Sequence, residues 1–153
     1  MQEPTLTLDL THGHLQVQRW DDPDLADAGH HACSVYVEQF WLSILGPSAV
    51  WLLRHLARHV AASPDGTWIE IEQTALAIGL ASGRHKTSVF ERTLDRLVRF
   101  RVADIRDPYT VAVRDHLAPL NARQRERLPR DLQIEHQRWL DQSPSRRNRP
   151  ITV

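Results

Sequence analysis

The chain holds a single cysteine, Cys33, in 153 residues, so no internal disulfide is possible and the fold must rest on its core. Lysine is as scarce: 18 of the 19 basic residues are arginine, Lys86 being the exception. No long apolar run occurs either. The most hydrophobic stretch, Trp41 to Leu53, is broken by Gly46-Pro47 and closed by Arg54, well short of the roughly 18 apolar residues a membrane span needs. No membrane association is expected. The opening residues lack a basic start followed by an apolar run, so the expected compartment is a reducing cytoplasm.

Motifs of catalysis are missing as well. There is no nucleophile elbow, no phosphate-cradling glycine loop and no helical pair of carboxylates, so neither enzymatic activity nor a cofactor is expected. His12, His14, His30, His31 and Cys33 are metal-ligand types, but their spacing fits no standard zinc module. His55 and His59 stand four apart on one helix with no glutamate between them and no evident third ligand. No metal site is expected from either group.

What is present is a polarised charge. Residues 1–40 carry one base and seven acids, residues 41–83 two bases and three acids, and residues 84–153 sixteen bases and nine acids. The net charge of zero is therefore a sum of unlike parts, and its basic half suits a protein that meets phosphates on one face. The preference for arginine over lysine fits guanine and phosphate recognition, though GC-rich coding bias accounts for it more readily.

Along the chain, residues 5–10 (Thr-Leu-Thr-Leu-Asp-Leu) and 15–19 (Leu-Gln-Val-Gln-Arg) alternate with period two around Thr11-His12-Gly13-His14, which predicts an N-terminal β-hairpin. Asp24 is a candidate helix cap after an acidic turn. A helix is predicted from about Ser34 to Leu45. After Gly46-Pro47 a new one carries Ala49, Leu52, Leu53, Leu56 and Val60 at helical spacing. Asn121 to Leu128 and Arg130 to Leu140 predict two further helical pieces with a thin apolar stripe of Leu128, Leu132 and Trp139. That stripe and the leucines of the hairpin predict a homodimer. From Gln142 the tail has little to bury and reads as disordered. Trp20, Trp41, Trp51, Trp68 and Trp139 are expected as core or interface anchors rather than base-stacking platforms.

The most informative stretch is Trp68 to Arg114. Trp68-Ile69-Glu70-Ile71 alternates as a short strand, and Thr74 to Ile78 forms a short helix that stops at Gly79. A longer helix follows from about Lys86 to Phe100. Its inward line is Phe90, Leu94, Leu97 and Arg101, with Ser88, Arg92, Asp95, Arg96 and Arg99 opposite. Ser88 and Glu91 also fit a capping box. Val102 to Ile105 and Thr110 to Val113 then flank a turn at Asp107-Pro108-Tyr109.

That order of elements, over roughly residues 46–116, resembles the winged helix-turn-helix family of DNA-binding domains. The resemblance implies a mainly α fold with a small β component (α+β), here with the N-terminal hairpin and a C-terminal helix added. It divides the chain into a hairpin and acidic linker (1–33), the winged helix (34–116), a helical extension (117–141) and a basic tail (142–153). It also implies a sequence-specific DNA-binding protein, a bacterial transcriptional regulator bound to double-stranded DNA in the nucleoid. The alternative is a winged helix that meets a protein partner in a transcription or replication assembly. Carried over by position, Arg84, His85, Lys86, Thr87, Ser88, Arg92, Arg96 and Arg99 belong to the recognition helix, and Arg106, Tyr109 and Arg114 to the wing. Family members commonly close the recognition helix with glycine, where this chain has Arg101. Either Arg101 takes the glycine conformation or the helix ends differently.

Overall fold

A computed structural model of the protein describes residues 5–80 and 87–142. In chain order the elements are β1 (His14–Arg19), α1 (Pro23–Ala28), β2 (His30–His31), a π-helical stretch (Val37–Trp41) running into α2 (Leu42–Leu45), and α3 (Pro47–Ala62). There follow β3 (Thr67–Glu70), α4 (Ile71–Ala77), α5 (Thr87–Arg99), β4 (Ala103–Asp107), β5 (Thr110–Val113), β6 (His116–Leu117), α6 (Ala122–Glu126) and α7 (Arg130–Asp141). The architecture is α+β with a mixed sheet.

The four-stranded sheet has the order β3-β1-β5-β4. Strand β1 runs antiparallel to β3, with Leu15 opposite Ile69, and parallel to β5, with Val17 opposite Val111. Because side chains alternate across a strand, Leu15, Val17, Ile69, Val111 and Val113 fall on the face that α3 covers. Helix α3 is the centre of the core. Leu52, Leu53, Leu56 and Val60 are buried along it, and α5 adds Phe90, Leu94 and Leu97.

The predicted N-terminal hairpin does not form. Residues 15–19 do make a strand, but both of its edges are taken by β3 and β5, so residues 5–10 have no edge to pair with. They run as an irregular segment instead, with Asp9 N–H donating to Pro108 O at 2.7 Å and Leu10 buried in the core. The predicted cap at Asp24 is also corrected. Pro23 occupies the first helical position of α1, which places the cap at Asp22, whose carboxylate accepts from the Leu25 N–H.

Helices α4 and α5 end in the same way with different residues. Gly79 takes a φ of 77° while Leu80 N–H reaches Ala75 O, and Arg101 takes a φ of 57° while Val102 N–H reaches Leu97 O. Both are Schellman closures, in which one left-handed residue turns the chain away from the helix. Arg101 thus fills the glycine position without being glycine. At the C-terminal end, Asn121 and Gln124 form a reciprocal capping box on α6, and α7 packs back on the core through His136, Leu132 and Trp139.

Most of the apolar side chains that predicted subunit pairing pack within the chain, while Leu6 is exposed. Leu10 and Leu128 are buried, and Leu8, Leu132 and Trp139 pack against the core. Of the tryptophans, Trp41 is buried and donates to Ala118 O at 3.0 Å, whereas Trp51 and Trp68 are exposed. Among the described residues no helix is long and apolar enough to cross a membrane. The basic tail assigned to disorder lies outside the described residues, apart from Gln142.

A candidate nucleic-acid interface on α5

Thirteen residues of α5 present two contrasting faces. Phe90, Thr93, Leu94 and Leu97 point inward, while Glu91, Arg92, Asp95, Arg96 and Arg99 stand on the solvent side. Arg92, Arg96 and Arg99 follow at i, i+4 and i+7, the spacing that stacks side chains along one stripe. With Val89 and Thr93 they line an open cleft of about 510 Å³ whose other wall is Leu45 to Ala49. That wall is the start of α3. Gly46 precedes it at a φ of 85° and no side chain caps the helix, so first-turn backbone N–H groups face the cleft side without a side-chain acceptor. Arginines and a helix N-terminus attract the same kind of ligand, an anion.

The arginines are not equivalent. Arg96 Nε donates to Leu45 O and its Nη2 to Ile44 O at 3.0 Å, and its guanidinium lies over the Phe100 ring at 5.4 Å. Its donors complete the last carbonyls of α2, so Arg96, though solvent-exposed, also holds α5 against α2. Arg99 is exposed and, among the described residues, has no ion-pair partner. Arg92 lines the cleft beside it.

The hairpin of β4 and β5 differs from a free wing. β5 pairs with β4 on one edge and β1 on the other, and the turn is tied down by Gln16 N–H donating to Tyr109 O and Asp9 N–H to Pro108 O. Arg106 pairs with Asp104 at 3.4 Å and lies over Trp20 at 5.4 Å. Arg114 is more deeply engaged. Its Nη1 meets Asp22 Oδ2 at 2.6 Å, its Nε donates to Arg101 O at 2.9 Å, and its guanidinium stacks 3.6 Å above Trp20. The Arg114 hydrogen bond is the first cause that holds the Asp22 carboxyl below its usual range. Arg114 therefore joins the cap of α1 to the turn after α5. Tyr109 remains exposed at the turn, its N–H bound to Asp107 Oδ1.

Arg84, His85 and Lys86 lie outside the described residues, as do the side chains of Thr87 and Ser88, whose backbone opens α5. The sequence therefore placed Arg92 and Arg99 on the open face, and it missed the partners of Arg96 and Arg114. The carbonyls that Arg96 meets and the carboxylate that Arg114 meets sit about 50 or more residues away in the chain, where no local pattern reaches.

The histidines separate into two groups. His31 Nδ1 accepts from the Cys33 N–H and its ring meets His116 edge-on, with burial the chief cause that lowers its pKa. His55 and His59 face each other on α3 with their Nε2 atoms 3.2 Å apart. Among the described residues no three His, Cys, Asp or Glu side chains converge. No known protein-family model, curated protein or solved structure matches the chain.

Proposed function

We propose that the protein is a sequence-specific DNA-binding protein, a bacterial transcriptional regulator in which α5 is the reading helix. The observation that carries this reading is the shared cleft. Arg92 and Arg99 open onto the same concave surface as the uncapped start of α3, so one surface gathers two cations and a helix dipole around the place a phosphate would occupy. Arg84 and Lys86 precede α5 in the sequence and add two further basic residues there. The chain order α3, β3, α4, α5, β4, β5 is that of a winged helix, with β1 added between β3 and β5. At the turn Tyr109 is exposed, and Arg106 pairs with Asp104 on the surface. Pairing of two copies belongs to the proposal, because two α5 helices then address half-sites about one DNA turn apart.

A second reading, that α5 meets an acidic protein partner, is favoured by the acidic turn, where Asp104 and Asp107 flank Arg106. Incubation of the protein with fragmented genomic DNA, followed by sequencing of the retained fraction, separates the two. Enrichment of a defined sequence, inverted where two copies bind, supports the regulator. Retention without enrichment, or none at all, supports the protein-partner reading.

A further inference from the structure

On the opposite half of α3 from the cleft, two histidines are placed as a chelate. His55 and His59 are four residues apart, so they stack one above the other on a single face, and the Nε2 atoms lie 3.2 Å from each other with the rings inclined at 61°. Both side chains are half-buried. Zinc–imidazole bonds are about 2.0–2.1 Å long, so two nitrogens at that separation subtend roughly 100–106° at a shared ion. A tetrahedral centre wants an angle close to this.

We propose that His55 and His59 form a labile, bidentate binding site for Zn²⁺. In the metal-free helix the pair shares one hydrogen bond between the two Nε2 atoms, which requires one ring to carry its proton there. On binding, that ring moves its proton to Nδ1, both Nε2 lone pairs turn to the ion, and water fills the two remaining positions. No third protein ligand joins them among the described residues, so the ion exchanges freely and the fold does not depend on it. Arg58, between the two histidines in sequence, is the cation that opposes binding. Burial is the chief cause that keeps His55 below its ordinary pKa, which reduces competition from protons at neutral pH. His55 lies roughly 12 Å along the helix axis from Pro47, so the site is separate from the α5 cleft.

The second imidazole binds intramolecularly, and the pair should therefore hold zinc about 10²-fold more tightly than either ring alone. Titration calorimetry of the full chain with ZnCl₂ should show one ion bound at this site. His55→Ala and His59→Ala should each weaken it about 10²-fold, while a His12→Ala, His14→Ala double variant should leave it unchanged. Zinc should raise the melting temperature of the parent and of the double variant but not of the single ones. Substitution by Co²⁺ supplies a readout that a packing role cannot move, the visible absorption of a four-coordinate ion. Absence of one-to-one binding, undiminished affinity in either folded single variant, or loss in the His12, His14 variant would overturn the proposal.

Discussion

The Tyr36 hydroxyl and the His136 imidazole meet at 2.8 Å across a hundred residues of sequence, and both side chains are all but fully buried. Tyr36 Oη accepts from the Leu120 N–H at 2.9 Å, and a His136 tautomer with Nε2 unprotonated gives the buried phenol proton its acceptor. The Tyr36 ring in turn stacks on His30 at 3.7 Å and touches Trp139. One phenol thereby fastens α7, the loop before α6 and the helical stretch after Cys33 to a single point.

Acid should loosen this fastening. Burial first, then the charge of Arg125, lowers the His136 pKa from its ordinary 6.5. The unfolded chain therefore takes up the proton before the folded one does, and stability falls as pH drops below about 6.5 toward the folded-state value. His136→Phe keeps the ring and removes the proton acceptor. It should cost roughly 1–3 kcal/mol at neutral pH, by leaving the Tyr36 hydroxyl proton without a partner, and it should flatten the acid limb. Denaturant melts of parent and variant from pH 5 to pH 8 measure both. An acid limb of unchanged slope in the variant would assign the effect to other groups, among them His31.

The three arginines of α5 should fail in three ways. Arg92→Ala should lose roughly 1–3 kcal/mol at the preferred DNA site and relax discrimination at one base pair, as for a bidentate contact to guanine. Arg99→Ala, two turns further along, should weaken binding to every sequence alike and make the slope of log affinity against log salt shallower by about 1. Arg96→Ala should act on the fold, lowering stability by on the order of 1 kcal/mol through the carbonyls of Ile44 and Leu45 that it leaves open. Fluorescence anisotropy at several salt concentrations, with melts alongside, distinguishes these outcomes. If Arg92→Ala stays folded and binds as well as the parent, α5 does not read DNA.

Arg101 offers a substitution that should stabilise. At a φ of 57° its Cβ is strained, and its backbone carbonyl, which glycine retains, is what Arg114 binds. Arg101→Gly should raise stability by up to about 1 kcal/mol, the relief being partly offset by the greater freedom of glycine in the unfolded chain. Thermal melts decide it. A decrease would mean that the exposed arginine side chain contributes more than its backbone costs.

Leu97 is wholly buried on the inward face of α5. Leu97→Ala should lower stability by roughly 2–5 kcal/mol through the cavity it leaves, and DNA affinity below the melting range should stay close to that of the parent. Chemical denaturation at 25 °C, with anisotropy on the folded variant, tests both halves.

What the sequence disclosed follows the range of the forces concerned. Pro47 at a helix start, Gly79 at a helix end, the inward line of Phe90, Leu94 and Leu97, and the turn at Asp107-Pro108-Tyr109 are all decided within a few residues, and all are found where the pattern puts them. The alternation in residues 5–10 predicted a strand and yielded none, because a strand also needs a vacant neighbour. Neither β3 nor β5 announces in its own residues that β1 will lie between them. The candidate site divides in the same way. Helical periodicity placed the arginines of α5 on one face, but the contacts of Arg96 with Leu45 and of Arg114 with Asp22 and Trp20 are made by tertiary structure.

The insertion of β1 between β3 and β5 also bears on how the chain reaches this state during synthesis. Gln16 and Thr110, partners across the parallel ladder, are 94 residues apart, so the sheet cannot close until most of the polypeptide has left the ribosome. Until then β1 can pair with β3 alone, and the edge that awaits β5 carries unpaired backbone groups. Pairing at such long range slows folding and prolongs the exposure of that edge. The stage most prone to aggregation should therefore be a nascent chain that has emerged through β3 but not yet through β5.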